Sequence, residues 1–394
     1  MALYVRYVAS IGPALWNGHG KLRGLSVDDY QFHHALVERA QVPVKSGNLY
    51  ACASLIPYLS MQRVRTANRL VTVALGACVK SAARSVLVNR PITCLLKRHI
   101  YTSRLTMSYK TEERGCPYTT DYRMFIKGPD DNVVSPFHDI PLYPDPDNDK
   151  SICNMIVEIP RWSNAKMEIC KEDPMNPIKQ DVKKGKPRFV KNVFPHHGYI
   201  WNYGAIPQTY EDPNDENPDT GCKGDSDPLD VCEIGYKVHP RGTVIQVKIL
   251  GTVAMIDEGE TDWKILAIDV NDPLAEKLND VDDIEREMPG FLKATVEWLR
   301  IYKKPDGKPD NNFAFNGEAK NKEYALKVVE DCNEQWKKLI AKIVDCGSIE
   351  CMNTTVGGSP YQISSEEANK CKEKYPELGE AEKLDPELNK WYYV

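Results

Sequence analysis

"TVIQVKILGTVAMIDEGETDWKILAIDV", residues 243–270, contains three runs rich in β-branched and other apolar residues. Runs of this kind predict β-strands, here at 243–250, 251–257 and 263–270. The segment "DEGETD" (257–262) separates the last two runs, and its glycine and acidic residues predict a turn. The stretch therefore predicts consecutive strands with short connections.

The same pattern extends towards the N-terminus. Further strands are predicted in "YRMFIK" (122–127), "NMIVEIP" (154–160) and "KMEIC" (166–170), with Asp- and Pro-rich turns at 144–149 and 211–221. No helical pattern separates these strands. The region therefore favours a closed barrel or a sandwich over a parallel sheet with crossover helices.

Helical patterns come late in the chain. Residues 291–304 and 320–344 carry apolar side chains at close to helical spacing. After about residue 350 the chain becomes polar, and we expect the aromatic residues of its closing "WYYV" (391–394) to dock onto the body. The sequence thus predicts a mainly β fold with flanking helices, of the α+β class.

The net charge of −5 is unevenly distributed. Residues 1–108 hold 14 Lys and Arg against 3 Asp and Glu, whereas residues 109–394 hold 37 against 53. A body with that acidic balance has little tendency to bind nucleic acid non-specifically, so we expect no nucleic-acid partner.

The N-terminal part has the composition of an organellar transit peptide. It has no acidic residue between Glu38 and Glu112 and contains scattered Arg, Ser and Ala. We therefore expect residues 1–106 to be a basic, weakly ordered targeting extension and the protein to be mitochondrial. Composition changes abruptly at Met107, so a cytoplasmic form that starts there is a second hypothesis.

Neither a membrane span nor a secreted disulfide framework is predicted. The apolar run 70–79 is too short to cross a bilayer. The 12 cysteines have scattered spacings without a zinc-site pattern, which favours a reduced, intracellular protein.

The heptapeptide "GDSDPLD" (224–230) crowds three carboxylates into one turn. Side chains of like charge this close repel one another unless a cation lies among them. The spacing does not fit a calcium-binding EF-hand, whose sixth position is Gly and whose twelfth is Glu. Asp230 and Tyr236 stand there instead. An exposed turn is the alternative interpretation of such a loop.

Two further segments combine carboxylates with cations, "VEIPRWSNAKMEI" (157–169) and "DEGETDWK" (257–264). Oxygen ligands favour Mg²⁺ or Mn²⁺ over zinc. Lysine, arginine and tyrosine side chains bind phosphate groups. Together these residue types predict, weakly, metal-assisted transfer of a phosphoryl group to water. Each segment alone is more typical of solvated turns and strand ends.

At these residues the chain resembles the family I soluble inorganic pyrophosphatases. "DSDPLDV" (225–231) matches the family signature, and "MIVEIPRWSNAKMEI", "GKPRFVKNVFPHHGYIWNYGAIPQT" and "DEGETDWKILAIDVNDP" resemble the eukaryotic branch in order and spacing. The resemblance covers roughly residues 109–345. It implies a five-stranded, closed OB-type barrel with added hairpins and C-terminal helices, and a homodimer as in animal and fungal relatives.

The resemblance also implies an activity and a set of residue roles. The activity is hydrolysis of inorganic pyrophosphate to two orthophosphates, with several Mg²⁺ ions per site, Mn²⁺ as a possible substitute, and direct attack by a metal-bridged water or hydroxide. Asp227 matches the general base, and Tyr199 matches a nearby proton donor. The metal-ligand set that the resemblance implies is Asp225, Asp230, Asp262, Asp257, Glu158 and Glu168. The phosphate-binding set is Lys166, Arg188, Tyr203, Lys264, Tyr302 and Lys303.

Two other functions stay open at this point. One is a Mg²⁺-dependent phosphohydrolase acting on nucleotides or polyphosphate, and the other is a non-enzymatic OB-type module that binds nucleic acid. The acidic body and the complete carboxylate set argue against the second. We expect three parts of the chain: the extension 1–106, a catalytic domain at 107–350 and a polar tail at 351–394.

Overall fold

The runs predicted at 243–250 and 251–257 form one continuous strand, Val244–Asp257, in the computed structural model, which describes residues 108–147 and 149–394. The strand pairs antiparallel with Glu260–Asp269. The register shifts at the predicted boundary, so Gly251 marks a bulge and not a strand end.

The turn of this hairpin consists of Glu258 and Gly259 alone. Both have positive φ angles, 51° and 97°, as in the two-residue turns that follow the twist of the flanking strands. The turn predicted over 257–262 is therefore too long. Thr261 and Asp262 already pair with Ile256 and Met255 across the hairpin.

The described residues contain eighteen strands and four α-helices. The strands are β1 (Lys110–Arg114), β2 (Arg123–Lys127), β3 (Val133–Val134), β4 (Ile152–Ile159), β5 (Met167–Ile169), β6 (Ile178–Gln180), β7 (Val182–Lys183), β8 (Lys186–Pro187), β9 (Asn192–Val193), β10 (Asn202–Ala205), β11 (Glu216–Asn217), β12 (Cys222–Gly224), β13 (Asp230–Glu233), β14 (Val244–Asp257), β15 (Glu260–Asp269), β16 (Asn312–Phe313), β17 (Lys320–Asn321) and β18 (Trp391–Tyr392). The α-helices are α1 (Val281–Glu287), α2 (Phe291–Ile301), α3 (Lys322–Ile340) and α4 (Ser365–Cys371). Shorter helical turns lie at Lys304–Asp306, Ala314–Gly317, Lys372–Lys374 and Pro386–Asn389.

Five strands form a closed cycle of pairings. β14 pairs with β4, β4 with β10, β10 with β13, β13 with β15, and β15 again with β14. Only the β13–β15 pairing in this cycle is parallel. A second sheet, in the order β1-β2-β6-β5 with β3 on β2, accompanies it. The prediction of a mainly β fold with few helices is confirmed.

Both faces of the long hairpin are buried, which explains its nearly continuous apolar sequence. Leu266 and Ile268 belong to one cluster of buried apolar side chains, and Ile265 and Ala267 belong to another. Side chains of a strand alternate between its two faces, so the two clusters lie on opposite sides of β15. Helix α3 packs against β14 and contributes Val328 to the second cluster.

The helices predicted at 291–304 and 320–344 correspond to α2 and α3, with ends a few residues shorter. Helices α1 and α4 were not predicted. Each has seven residues and two buried side chains, which is too few to produce a recognisable helical period. Each begins with a capping box, formed by Asp280 with Asp283 in α1 and by Ser364 with Glu367 in α4.

The last residues of the chain lie on the body. Strand β18 pairs in parallel with β9, and the Trp391 ring lies 5.8 Å from that of Phe194. In helix α4, Ala368 packs in a small cluster with Phe125 and Met175. The domain boundaries proposed at residues 106 and 350 stay predictions.

The transit-peptide prediction for residues 1–106 and the apolar run 70–79 lie outside the described residues. Within the part of the chain that the structure describes, no helix is both long enough and apolar enough to cross a bilayer.

Candidate active site

The predicted chemical residues meet at one cavity of about 100 Å³, and six of them stand on the five strands of the cycle. Twelve of the fourteen line it: Glu158, Lys166, Glu168, Tyr199, Tyr203, Asp225, Asp227, Asp230, Asp257, Asp262, Lys264 and Tyr302. The other two are adjacent. Arg188 is joined to Lys166 through Asp181, and Lys303 pairs with Asp257. The structure brings the whole set together, while the role of each residue stays a prediction.

The acidic loop that follows β12 is held in a tight turn. The Asp227 amide donates to Asp225 Oδ1 at 2.9 Å, and Ser226 has a φ of 71°. Gly224, at the start of the turn, lies directly against the backbone of Glu211. A Cβ at Gly224 would lie 2.4 Å from the Glu211 carbonyl, so any other residue would displace this contact. Glycine at this position thus allows the start of the acidic loop to pack against the backbone of Glu211.

Lys264 joins three strands of the cycle at the cavity wall. Asp230 and Lys264 stand in register on β13 and β15, with Lys264 Nζ 2.5 Å from Asp230 Oδ2. The same ammonium donates to Asp262 and, at 3.0 Å, to the Tyr203 hydroxyl on β10. That hydroxyl donates in turn to Asp230 at 2.6 Å. Burial works to lower the pKa of Lys264, but the two carboxylates hold it well above its usual value.

The carboxylates of this wall are destabilised as anions by their surroundings. Burial, reinforced by neighbouring carboxylates, raises the pKa of Asp225 well above its usual value. Burial also raises the pKa of Asp262 to about 7, although Lys264 opposes the shift. A bound cation would favour the ionised forms. The oxygen-only donor set fits Mg²⁺ or Mn²⁺ rather than a softer metal.

Strands β4 and β5 supply acidic groups on another side of the cavity, and the basic Lys166 directly precedes β5. Glu158 is buried, its Oε1 accepts from the Ile169 amide at 2.6 Å, and burial raises its pKa well above the usual value. The Lys166 ammonium forms an ion pair with Glu168 and lies 3.5 Å from Asp181. Arg188 donates to the same Asp181 at 2.9 Å.

Aromatic residues and the end of the hairpin complete the lining. The Tyr199 ring lies 5.1 Å from that of Tyr203 and 4.9 Å from that of Trp298. The Tyr302 ring stacks on Trp298 with centroids 4.7 Å apart. Burial raises the pKa of both Tyr199 and Tyr302, so their phenols stay protonated at neutral pH. Lys303, which follows Tyr302, pairs with Asp257 at the tip of β14.

Three residues of the site escaped the sequence analysis. Lys171 lies 2.6 Å from Asp227, and Asp181 lies between Lys166 and Arg188. Glu211 has a carboxylate oxygen within 4.8 Å of oxygens of Asp225 and Asp262. No motif marks these residues. Glu211 stands in a stretch predicted as a turn, and tertiary contacts bring it to the site: the close approach of Gly224 and backbone hydrogen bonds with Ser226 and Asp227.

Known proteins match the part of the chain that carries this site. The family model described as "Inorganic pyrophosphatase" matches residues 155–337. An inorganic pyrophosphatase of Drosophila melanogaster is 54% identical over 286 residues, which cover 73% of this chain and 84% of the relative. A mouse protein described as "Inorganic pyrophosphatase 2, mitochondrial" is 51% identical over 304 residues, 74% of this chain and 92% of the relative.

A solved structure agrees as well. The inorganic pyrophosphatase of Schistosoma japonicum superimposes with a TM-score of 0.68 at 50% identity, over 72% of this chain and 100% of that chain. The chain therefore belongs to the eukaryotic branch of the family I soluble inorganic pyrophosphatases, which are inorganic diphosphatases.

Proposed function

We propose that the protein hydrolyses inorganic pyrophosphate to two orthophosphates with Mg²⁺, in a closed OB-type barrel formed by β4, β10, β13, β14 and β15. Family membership supports the substrate, and the cycle of strand pairings supports the barrel. The metal-ligand set that we propose is Asp225, Asp230, Asp262, Asp257, Glu158 and Glu168. The phosphate-binding set is Lys166, Arg188, Tyr203, Lys264, Tyr302 and Lys303.

One observation carries this proposal: lysines proposed to bind phosphate are paired with carboxylates proposed to bind metal. Lys264 pairs with Asp230 and Asp262, and Lys303 pairs with Asp257. Pyrophosphate brings several negative charges to a site already rich in carboxylates, so it binds only together with cations. With metal ions held by these carboxylates, Lys264 and Lys303 would be free to face phosphate oxygens.

Magnesium ions, when bound, offset the charge of substrate and carboxylates and lower the pKa of a coordinated water. Asp227 then accepts the proton of the attacking water. Its side chain lines the cavity and is 45% exposed, so it reaches solvent as well as the reacting centre. Lys171 forms an ion pair with this carboxylate on one side. The backbone amide of Asp227 donates a hydrogen bond to the Asp225 side chain.

Tyr199 serves as a phenol and not as a phenolate. Its raised pKa keeps the proton on the hydroxyl, so the group donates a hydrogen bond or orients a neighbouring carboxylate. The guanidinium of Arg188, held by Asp181, presents a fixed fork suited to the phosphate that departs.

We further propose that two chains associate through the aromatic cluster made of Trp162, Phe194, His197, Trp391 and Tyr393. The family resemblance implies a homodimer, and this cluster offers a surface for such an interface. Trp162, Phe194 and Tyr393 are 56%, 55% and 77% exposed. The rings of Phe194 and His197 lie 5.8 and 6.2 Å from that of Trp391. Exposed aromatic groups in contact with one another are typical of protein interfaces.

For location, we propose a mitochondrial form that is imported by means of residues 1–106 and then loses them, and a cytoplasmic form that starts at Met107. The composition of the extension supports the first, and so does the mouse relative described as mitochondrial. Mass spectrometry of the N-termini of the native protein tests this proposal. An abundant species that keeps Met1 would contradict it.

The proposed activity is tested by phosphate release from pyrophosphate, tripolyphosphate and ATP, each with Mg²⁺, with Mn²⁺ and with EDTA. We expect release from pyrophosphate with Mg²⁺, less with Mn²⁺, and none with EDTA. A preference for ATP or tripolyphosphate would favour the broader phosphohydrolase. No metal-dependent release from any of the three would favour the binding module.

A further inference from the structure

Glu211 is a buried carboxylate in which one of the two oxygens has no hydrogen-bond partner among the described residues. The residue is 3% exposed. Its Oε1 accepts from the Trp263 amide at 3.2 Å. Its Oε2 is buried and has no hydrogen-bond partner among the described residues. A buried anionic oxygen without a partner is costly, so such an atom indicates a ligand.

The oxygen atoms around Glu211 have the arrangement of a cation site. One oxygen each from Glu211, Asp225 and Asp262 lies within 4.8 Å of the other two. Among the described residues, this is the one group of three or more potential ligand side chains that meets that spacing. Asp230 stands outside it and is engaged by Tyr203 at 2.6 Å and by Lys264 at 2.5 Å, and the same ammonium also donates to Asp262.

Glu211 also opens onto a second cavity, of about 330 Å³, between the segment before β12 and helix α3. Carboxylates around it include Glu211, Asp212, Asp215, Glu216, Asp331 and Glu334. Glu211 lines this acidic cleft, whereas Asp225 and Asp262 line the catalytic cavity. The three carboxylates therefore lie between the two cavities.

We propose that Glu211 binds a divalent cation together with Asp225 and Asp262. The inference rests on the proposed function for its choice of metal, since Mg²⁺ and Mn²⁺ take oxygen ligands alone. It adds to that function a ligand which no motif of the sequence marks. Glu211 completes a set of three carboxylates while Lys264 and Tyr203 still hold Asp230.

The test measures Mn²⁺ binding to the metal-free full-length protein by electron paramagnetic resonance, without substrate. Wild type, Glu211→Gln and Glu216→Gln are compared. Glu216→Gln is the matched control, because it removes one charge from the same cleft at an exposed side chain. We expect Glu211→Gln to weaken the tightest Mn²⁺ site by about tenfold or more. The control should keep the wild-type affinity.

Thermal unfolding separates a ligand from a purely structural residue. Without divalent metal, Glu211→Gln should be at least as stable as wild type. It keeps the acceptor for Trp263 and removes the repulsion with Asp225 and Asp262. Its stabilisation by Mg²⁺ should be smaller than that of wild type. If Glu211→Gln fails to fold, Glu211→Asp, which keeps the charge, should bind Mn²⁺ with intermediate affinity.

Unchanged Mn²⁺ affinity in Glu211→Gln, or in Glu211→Asp if the first variant fails to fold, would overturn the inference. So would lower metal-free stability together with unchanged metal stabilisation. The result is independent of the proposed activity. If wild type binds Mn²⁺ through Glu211 but releases no phosphate from pyrophosphate, the activity fails and the inference stands.

Discussion

Lys171 Nζ lies 2.6 Å from Asp227 Oδ1, an ion pair that no motif of the sequence announces. Burial works to lower the pKa of Lys171, but Asp227 holds it above its usual value, so the ammonium stays charged. The backbone of Lys171 is held as well, because its carbonyl accepts from the Glu350 amide at 2.7 Å. The proposed general base is thus oriented by a cation which a segment beyond helix α3 keeps in position.

Lys171→Met should lower kcat for pyrophosphate by about tenfold while changing KM little, because Lys171 positions Asp227 and does not line the catalytic cavity. Lys171→Arg keeps the charge and should recover a large part of the rate. Steady-state phosphate release at saturating Mg²⁺ measures both. Equal rates in Lys171→Met and wild type would show that the ion pair has no catalytic consequence.

Gly224→Ala should destabilise the protein by about 2 kcal/mol and weaken metal binding, because a Cβ there overlaps the backbone of Glu211. Gly357→Ala is the matched control, since nothing lies within 4 Å of a Cβ at that position. Urea unfolding and a Mn²⁺ titration measure the two effects. If both variants behave alike, the packing of Gly224 does not hold the acidic loop in place.

The sequence was sufficient for the long hairpin, because its runs of β-branched residues are buried on both faces. It was not sufficient for the bulge at Gly251, which resembles a break. A Cβ at Gly251 would lie 2.5 Å from the Lys320 carbonyl, so glycine permits the approach of β17 while β14 continues. Lys320 stands 69 residues further along the chain, so no local sequence pattern indicates its approach.

The residues of the site also divide into those that the sequence reveals and those that it does not. Asp225, Asp227 and Asp230 stand in one short motif and are recognisable together. Glu211 and Lys171 stand among residues typical of turns and strand ends, where a carboxylate or an ammonium is usually solvated. Their proximity to the acidic loop comes from tertiary contacts, the close packing at Gly224 and the ion pair of Lys171 with Asp227.

His138 should make stability depend on pH. Its Nδ1 accepts from Trp336 Nε1 at 3.0 Å, and Nε2 lies 3.1 Å from the Glu350 carbonyl, so the folded state holds the neutral ring with the proton on Nε2. Burial lowers the pKa of His138 from 6.5 to about 4. The unfolded chain therefore binds the proton first. The contribution of His138 is complete above pH 6.5 and is lost as pH falls towards 4.

The measurement compares wild type with His138→Gln by urea unfolding between pH 4 and 7.5. The difference in unfolding free energy between the two should shrink by about 3 kcal/mol as pH falls through this window. Taking the difference removes the effect of the other titrating groups. If the difference in unfolding free energy does not change with pH, the folded state does not hold a neutral His138 ring with two hydrogen bonds.

Association should depend on the aromatic cluster at the C-terminus. Replacing Trp391 and Tyr393 together by alanine should shift the protein from dimer to monomer, because both rings are partly exposed and contact Phe194. Ile343→Ala is the control, since Ile343 is exposed but stands outside the cluster. Light scattering after size exclusion measures the mass. A monomeric wild type, or a double variant that stays dimeric, would contradict the proposed interface.

The proposed mechanism depends above all on Asp227, which takes the proton from the water that attacks pyrophosphate. Asp227→Asn, which keeps the shape of the side chain and removes its basicity, tests it most directly when phosphate release is measured at saturating Mg²⁺ and pyrophosphate. Asp282→Asn, in the first turn of helix α1, makes the same chemical change outside the site. We expect kcat to fall by a factor of about 10²–10⁴ in Asp227→Asn and to stay at the wild-type value in Asp282→Asn. A wild-type rate in Asp227→Asn would show that Asp227 is not the general base.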